Sequence, residues 1–470
     1  MVKNKGNLVS VGAWSKKKMF SVSSLKKLLF DPNYITPVCL LLFVGEIFLN
    51  LYIVGNVKYT EIDWIAYMQE VEGFLNGTLD YAELKGDTGP CVYPAGFLYL
   101  YSILYYLTSQ GTNIRLAQYI FMGLYLAQTY LTYDIYRKTC KVPGYALILS
   151  AATSYRIHSI YVLRLFNDPF AVFFFYLSLH FLLDGKWKTA SVIFSIAVSI
   201  KMNILLYAPA LFIAYITNLS HLNTFINLAI CGVIQLILGA PFLYTNPYSY
   251  LKASFDLGRV FEHKWTVNYR FLDVEIFENK VFHLSLLAVH LVLLGIFAKP
   301  IWRFMRSYAN LRGLIVQMRN QTLKSSKKEK EKLEKEDELS ADQQQFLDNL
   351  ERQFKHRAGA VSKKQLKSET EEKVTINFYK ISQLMILPFF VTNFIGIVCA
   401  RSLHYQFYSW YFHSLLYLAF STKYSKPFTF LLLALIEYSW NTYPSTNASS
   451  SILHICHVSI LLGVYSTMTA

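Results

Sequence analysis

Residues 35 to 57 read Ile35-Thr-Pro-Val-Cys-Leu-Leu-Leu-Phe-Val-Gly-Glu-Ile-Phe-Leu-Asn-Leu-Tyr-Ile-Val-Gly-Asn-Val57, an apolar stretch broken by a single charge at Glu46. Its length matches the ~20 residues that a helix needs to cross about 30 Å of hydrocarbon. Mostly apolar runs recur at 145–162, 225–243, 281–298, 381–400 and 452–464. Shorter or interrupted runs lie at 97–107, 116–135, 170–183, 191–200, 205–216 and 428–436, and some of these must tilt, kink or re-enter. A soluble domain carries about a quarter charged residues. This chain of 470 residues carries 16%, against 54% hydrophobic and 16% aromatic. The expected fold is an all-α integral membrane protein with roughly ten to twelve crossings and little independent soluble structure.

A formal net charge of +15 raises nucleic acid as a partner, and its distribution argues against one. The basic residues sit in tails and between apolar runs rather than on one face. Lys3, Lys5, Lys16, Lys17, Lys18, Lys26 and Lys27 precede the first span with Asp31 as the lone acid, so that tail is expected in the cytosol. The first run is longer than a signal peptide's and starts well into the chain, so it is expected to remain as a span. Cys39, Cys91, Cys140, Cys231, Cys399 and Cys456 are far apart and form no CxxC pair, which predicts free, buried thiols.

Two stretches break the apolar pattern. The first, 58–94, holds Glu61, Asp63, Glu70, Glu72, Asp80, Glu83 and Asp87 against Lys58 and Lys85, and should lie across the membrane from the basic tail. Its Tyr59, Trp64, Tyr67, Phe74 and Tyr81 suit a membrane interface, and Ile65, Met68, Val71 and Leu75 are spaced for an amphipathic helix on that surface. The second, 303–373, is rich in Lys, Glu, Gln and Ser and reads as a solvated helix or disorder. Arg137, Lys138, Lys141, Lys186, Lys188, Lys423 and Lys426 mark turns on the basic side. The opposite side then receives 58–94, 163–169, the neighbourhood of Lys201, 243–280, 401–404 and 440–450. That arrangement requires an odd number of crossings within 95–135, hence a re-entrant helix there.

The chemistry-bearing groups gather on that second side. They are Glu61 and Asp63, then Arg164, Asn167 and Asp168, then Lys201 and Asn203, then Arg259, His263, Lys264 and Arg270, and finally Arg401, His404 and Gln406. Acids on one loop and bases on several others fit a phosphate-bearing substrate: a carboxylate removes a hydroxyl proton while cations hold an oxyanion. The commoner use of such residues is contact with lipid headgroups and water, and both readings stand on spacing alone. Glu46 divides in the same way between function and helix packing. His454 and His457 sit at helical spacing without a third ligand, which favours a packed pair over a metal.

At these positions the chain resembles the dolichyl-phosphate-mannose-dependent α-1,3-mannosyltransferases of the endoplasmic reticulum. The resemblance rests on Tyr59-Thr-Glu-Ile-Asp-Trp64 with Ala66-Tyr-Met68, Gly86-Asp-Thr-Gly-Pro90 and Val92-Tyr-Pro-Ala-Gly96. It continues through His158-Ser-Ile-Tyr-Val-Leu-Arg-Leu-Phe-Asn-Asp168, Ala197-Val-Ser-Ile-Lys-Met-Asn203, Phe255-Asp-Leu-Gly-Arg259 and Trp265-Thr-Val-Asn268. Phe282-His-Leu284, Thr392-Asn-Phe-Ile-Gly-Ile397, Arg401-Ser-Leu-His-Tyr-Gln-Phe407 and Trp440-Asn-Thr-Tyr-Pro444 complete it. Leu416 stands where relatives usually carry Pro, Cys91 replaces a usual Leu, and the charged cytosolic loop is longer than the pattern.

The resemblance implies a multi-spanning glycosyltransferase of the lipid-phosphate-sugar (GT-C) type in the endoplasmic reticulum membrane, with a cytosolic N-terminus and a lumenal active site. Its parts would be a basic tail at 1–34, a membrane module at 35–305 with an acidic lumenal loop at 58–94, a partly disordered cytosolic loop at 306–378, and transmembrane helices at 379–470. The donor implied is dolichyl phosphate mannose and the acceptor a pentamannosyl dolichyl-diphosphate oligosaccharide, with membrane lipids around both and no obligatory cofactor or metal. The reaction inverts the β-linked donor to an α-1,3 product. Asp63 is implied as general base and Glu61 as its partner. Arg164, Lys201, Arg401 and His404 are the candidates for the leaving phosphate, with Asn167, Asp168 and Gln406 beside them in substrate binding. A transporter or scramblase of lipid-linked sugars is the alternative, and would want ionisable groups near mid-bilayer.

Overall fold

The computed structural model describes residues 22–256, 262–336 and 381–470, apart from the side chains of 319–336. Most of the basic tail, Arg259 and the later part of the charged loop lie outside these residues. Met1–Arg306 with Tyr379–Ala470 forms one compact unit and Ser307–Phe378 another, the latter described through helical residues 307–336. All that follows concerns the first unit.

Helices make nearly all of it, with a two-stranded hairpin, Lys85–Gly86 against Gly89–Pro90, as the sheet structure among the described residues. Four helices are long and apolar enough to cross a membrane: Thr36–Asn56, His221–Thr245, Lys280–Met318 and Asn447–Thr469. A fifth span is broken, Tyr155–Leu163 joining Asp168–Leu183 through a bend of 108°. Six further apolar helices run 10–17 residues each. The long helices turn their apolar residues outward. On Thr36–Asn56, Leu40, Leu41, Val44 and Phe48 are exposed, while Glu46, Asn50 and Val54, four residues apart, are buried. That is the arrangement a lipid solvent favours, with polar groups facing protein. Ser382–Val398 instead buries every residue from Met385 to Ile397.

Glu46 is thereby assigned a packing partner. Its Oε2 lies 2.7 Å from His158 Nε2, both side chains buried, and so ties the first span to the Tyr155–His158 segment.

The segments expected on one side do meet there. Thr60 N–H donates to Leu163 O at 3.0 Å, Asn246 Nδ2 to Asp80 Oδ2 at 2.8 Å, and Val267 N–H to Leu403 O at 2.8 Å. Asn268 is the central tie: it donates to Ala400 O at 2.9 Å and accepts from Leu403 N–H at 2.8 Å and Thr266 Oγ1 at 2.9 Å. Ser445 and Ser450 donate to Thr266 O and Val267 O, both at 2.6 Å, so a third loop joins. The motifs around 265–268, 401–407 and 440–444 are therefore one laced cap.

Residues 95–135 fold as one short helix, Ala95–Leu107, followed by the longer Ile114–Thr139. Ala95–Leu107 begins at Tyr250, whose hydroxyl lies 3.4 Å from Ala95 N, and the turn after it is held by Trp64 Nε1 donating to Gly111 O at 2.9 Å. The two ends of Ala95–Leu107 thus rest on Tyr250 and on Trp64 of the acidic loop. Gly96 permits this packing, because a Cβ there would collide with Ser199 of the Trp187–Ile200 helix.

Several expected surface residues are interior. Trp64, Tyr67, Tyr81 and Trp440 are 0–2% exposed. Burial of the two tryptophans is tolerated because their polar tips find partners, Trp64 on Gly111 O and Trp440 Nε1 on Tyr411 OH at 2.6 Å. The amphipathic helix forms as Trp64–Leu75, with Met68 and Val71 buried in the protein and Ile65 exposed. Four of the cysteines are buried; Cys140 and Cys231 are half-buried, and all six are free. His457 bonds Tyr411 OH at 2.8 Å and His454 packs on Tyr269 at 4.6 Å.

Asn268→Ala removes three bonds from buried groups and is expected to destabilise the cap by about 1–3 kcal/mol; an unchanged thermal midpoint would place the cap's cohesion elsewhere. The sequons at Asn76 and Asn447 are exposed and belong to the acidic loop's face. Both are expected to carry glycans in cells, each lost as one mass step in Asn76→Gln or Asn447→Gln.

Candidate active site

The chain leaves the first span at Val57 and is pinned at Thr60 before it reaches Asp63, the N-cap position of Trp64–Leu75. Asp63 is half-buried, and one helical turn on, Tyr67 OH donates to its Oδ2 at 3.2 Å. Tyr93 OH lies 3.4 Å from that of Tyr67. Burial raises the Asp63 carboxyl above its ordinary range; Lys201 and the Tyr67 bond oppose that, while Asp168 and Glu61 add to it. Asp63 thus faces the other groups of the site.

Glu61 faces elsewhere. It accepts from the Tyr59 hydroxyl and, through Oε1, from the Ile65 N–H at 3.0 Å. A first-turn N–H has no partner within its own helix, so this carboxylate closes the helix start.

Lys201 ends the Trp187–Ile200 helix in extended backbone, and its side chain is nearly buried. Its ammonium lies 2.7 Å from Asp168 Oδ1 and donates to Asn167 Oδ1 at 2.9 Å. The rings of Tyr93 and Phe407 flank it at 5.3 and 5.4 Å. Asp168 is fully buried, opens the Asp168–Leu183 helix, and also accepts from Trp410 Nε1. Asn167 and Asp168 are therefore placed behind Lys201. The bend that delivers them contains Leu165 at φ 51°, a conformation that β-carbon-bearing residues seldom adopt, in a fully buried setting.

Arg164 is half-buried at the same bend and donates to Ser159 Oγ. Arg401, in the laced cap, feels the charge of Asp256. His404 stacks on Phe407 at 5.3 Å, and Phe407 on Trp410 at 4.0 Å, so the 405–410 turn presents an aromatic wall with half-buried Gln406 in it. His263 and Arg270 close on one another, Arg270 donating to His263 O at 3.2 Å, and Lys264 pairs with Glu262 at the surface.

Asp63, Asn167, Asp168, Lys201 and His404 are thus brought around one spot with Tyr67, Tyr93, Phe407 and Trp410. The four aromatic groups were not singled out from sequence. Tyr67 carried a signal, being four residues after Asp63, Tyr93 and Phe407 lie within quoted motifs, and Trp410 lies three residues beyond one. Among the described residues no group of three or more His, Cys, Asp or Glu is placed to hold a metal ion.

The chain is similar to known proteins along almost its whole length. The family model described as ALG3 protein matches residues 40–450. A Drosophila melanogaster relative named as a dolichyl-P-Man:Man5GlcNAc2-PP-dolichol α-1,3-mannosyltransferase is 54% identical over 452 residues, 94% of this chain and 93% of its own. A human protein named as the corresponding Dol-P-Man-dependent α-1,3-mannosyltransferase is 42% identical, covering 96% and 90% of the two chains. An Arabidopsis thaliana protein of the same name is 41% identical, covering 91% and 87%. By these matches the chain belongs to the ALG3 protein family of multi-pass membrane glycosyltransferases.

Proposed function

We propose that this protein transfers mannose from dolichyl phosphate mannose, in α-1,3 linkage, to the pentamannosyl oligosaccharide of dolichyl diphosphate. It does so on the lumenal face of the endoplasmic reticulum membrane. Near-full-length identity to enzymes of that name carries the reading. The acid–cation constellation on one face of the fold supports it, while the transporter alternative has no such counterpart.

The reaction is a single displacement. The acceptor hydroxyl oxygen bonds the anomeric carbon as the bond from that carbon to the phosphate oxygen breaks. The electron pair leaves with the phosphate, and the hydroxyl proton passes to Asp63. Such a base contributes about 10²–10⁴ in rate. Burial makes Asp63 the stronger base, Tyr67 fixes its orientation, and the Lys201 charge opposes the rise. Glu61 holds the helix start, and Asn167 and Asp168 hold Lys201. Arg164, Arg401 and His404 serve the departing phosphate, and Gln406 a sugar hydroxyl.

Asp63→Asn is expected to lower mannose transfer by purified protein about 10²–10⁴-fold, with Glu61→Gln close to wild type. Full activity of Asp63→Asn would move the base to another residue, whereas no transfer by well-folded wild type would end the reading. The pH dependence follows from sign. A base must be deprotonated, so activity falls as pH drops through Asp63's value, which burial has raised. Lys201→Met removes the cation that opposes the rise and leaves Asp168 uncompensated. Both effects move the acid limb of kcat/KM to higher pH; a limb that stays put would disconnect Lys201 from the base.

A further inference from the structure

Arg156 plays no part in the mechanism above, yet it is the kind of residue that folding alone does not explain. It is 9% exposed, and its buried Nε has no hydrogen-bond partner. No carboxylate among the described residues lies within 4 Å of its guanidinium, which instead sits 4.9 Å over the ring of Tyr405. A longer-range acid, Glu437, is bonded by Tyr408 OH at 2.5 Å and Asn441 Nδ2 at 3.1 Å. The nearby cation is Arg164, whose charge adds to the cost of burying Arg156. A buried cation with an unpartnered donor and no acid in direct contact, beside a second cation, is a setting that a bound anion would complete.

Local backbone explains how the two meet. They are eight residues apart, and two ordinary helical turns return a face after about seven. The wide turn Ser159–Leu163 inserts roughly one residue more, so positions 156 and 164 come back to one face. Arg164 is fixed there by Ser159 of the same turn, and Tyr405, beneath Arg156, lies between His404 and Gln406 of the aromatic wall. Lys201 is already neutralised by Asp168 at 2.7 Å, so its charge is committed.

We propose that Arg156 is a phosphate-binding residue of this site: with Arg164 it forms a two-guanidinium clamp for the lipid monophosphate of the donor, and retains it as the dianionic leaving group. The assignment rests on the transferase reading given above. A guanidinium offers paired N–H donors matched to phosphate oxygens, and Tyr405 holds its plane.

The test is steady-state mannose transfer by purified Arg156→Gln and Arg156→Lys, with donor and acceptor varied separately and dolichyl phosphate added as product inhibitor. The expected result is a donor KM raised tenfold or more in Arg156→Gln, an equal weakening of inhibition by dolichyl phosphate, and an unchanged acceptor KM. Arg156→Lys should recover part of both effects, because it keeps charge without the fork. An unchanged donor KM and inhibition would overturn the clamp, as would restoration by Glu437→Gln in the same chain, which would make Arg156 a counter-charge for Glu437. Should Arg156→Gln fail to fold, Arg156→Lys decides alone, with severalfold weaker dolichyl phosphate inhibition expected and wild-type inhibition fatal. Absence of transfer by wild type would instead sink the transferase reading.

Discussion

The site depends on the contact between Lys201 and Asp168. Lys201 closes one helix, Asp168 opens another after a sharp bend, and Trp410 joins them from a turn more than 200 residues later in the chain. Breaking a buried pair of this kind costs about 3–5 kcal/mol, because a charge is left behind. The bend, with Leu165 in its unusual conformation, cannot relax while the pair holds. Thr60 then bonds the carbonyl just before that bend. Asp63 therefore inherits its position from an ion pair to which it does not itself belong.

This division of labour has an electrostatic consequence. Were Asp63 bonded directly to Lys201, its carboxylate would be stabilised and its basicity depressed by about 1–3 units. Asp168 takes the direct contact instead. Asp63 receives the ammonium's field at a distance, against the rise that burial causes, while Tyr67 supplies a neutral bond that orients it. One cation between two carboxylates thus holds one acid in direct contact and acts on the other through space. Their burial separates them: Asp168 is fully enclosed, and Asp63 remains partly open to a substrate.

Which residues matter was legible in the sequence further than how they meet. Asp63, Asn167, Asp168, Lys201 and His404 were all readable, because charged groups beside apolar runs stand out against their surroundings. How they pair was not, since Lys201 meets Asn167 across 34 residues and Trp410 meets Asp168 across 242. The aromatic partners were hidden for a related reason. In a chain that is 16% aromatic, Tyr93 and Trp410 carry no contrast. The interfacial placing of Trp64 and Tyr81 failed because an aromatic ring suits a lipid boundary and a protein interior equally well. Periodicity told helix from loop in both cases and was silent on what each helix would face.

The shortness of so many apolar helices belongs to the same account. A backbone in lipid must satisfy its own hydrogen bonds, so irregular segments at that depth survive only inside protein. The wide turn Ser159–Leu163, the bend at Leu165 and the tight turns at 202–207 and 405–410 are irregular segments held mostly inside the protein. All four carry or adjoin the groups of the site, and all are shielded by the longer helices whose leucines and phenylalanines face outward. An uninterrupted helix presents side chains at fixed steps around one axis. It could not bring Asn167, Asp168 and Arg164 toward Lys201 and Tyr405 at once. Broken helices provide that convergence, and the long spans around them make the breaks tolerable. The apolar runs that looked too short to cross are thus short where the chemistry requires the chain to turn.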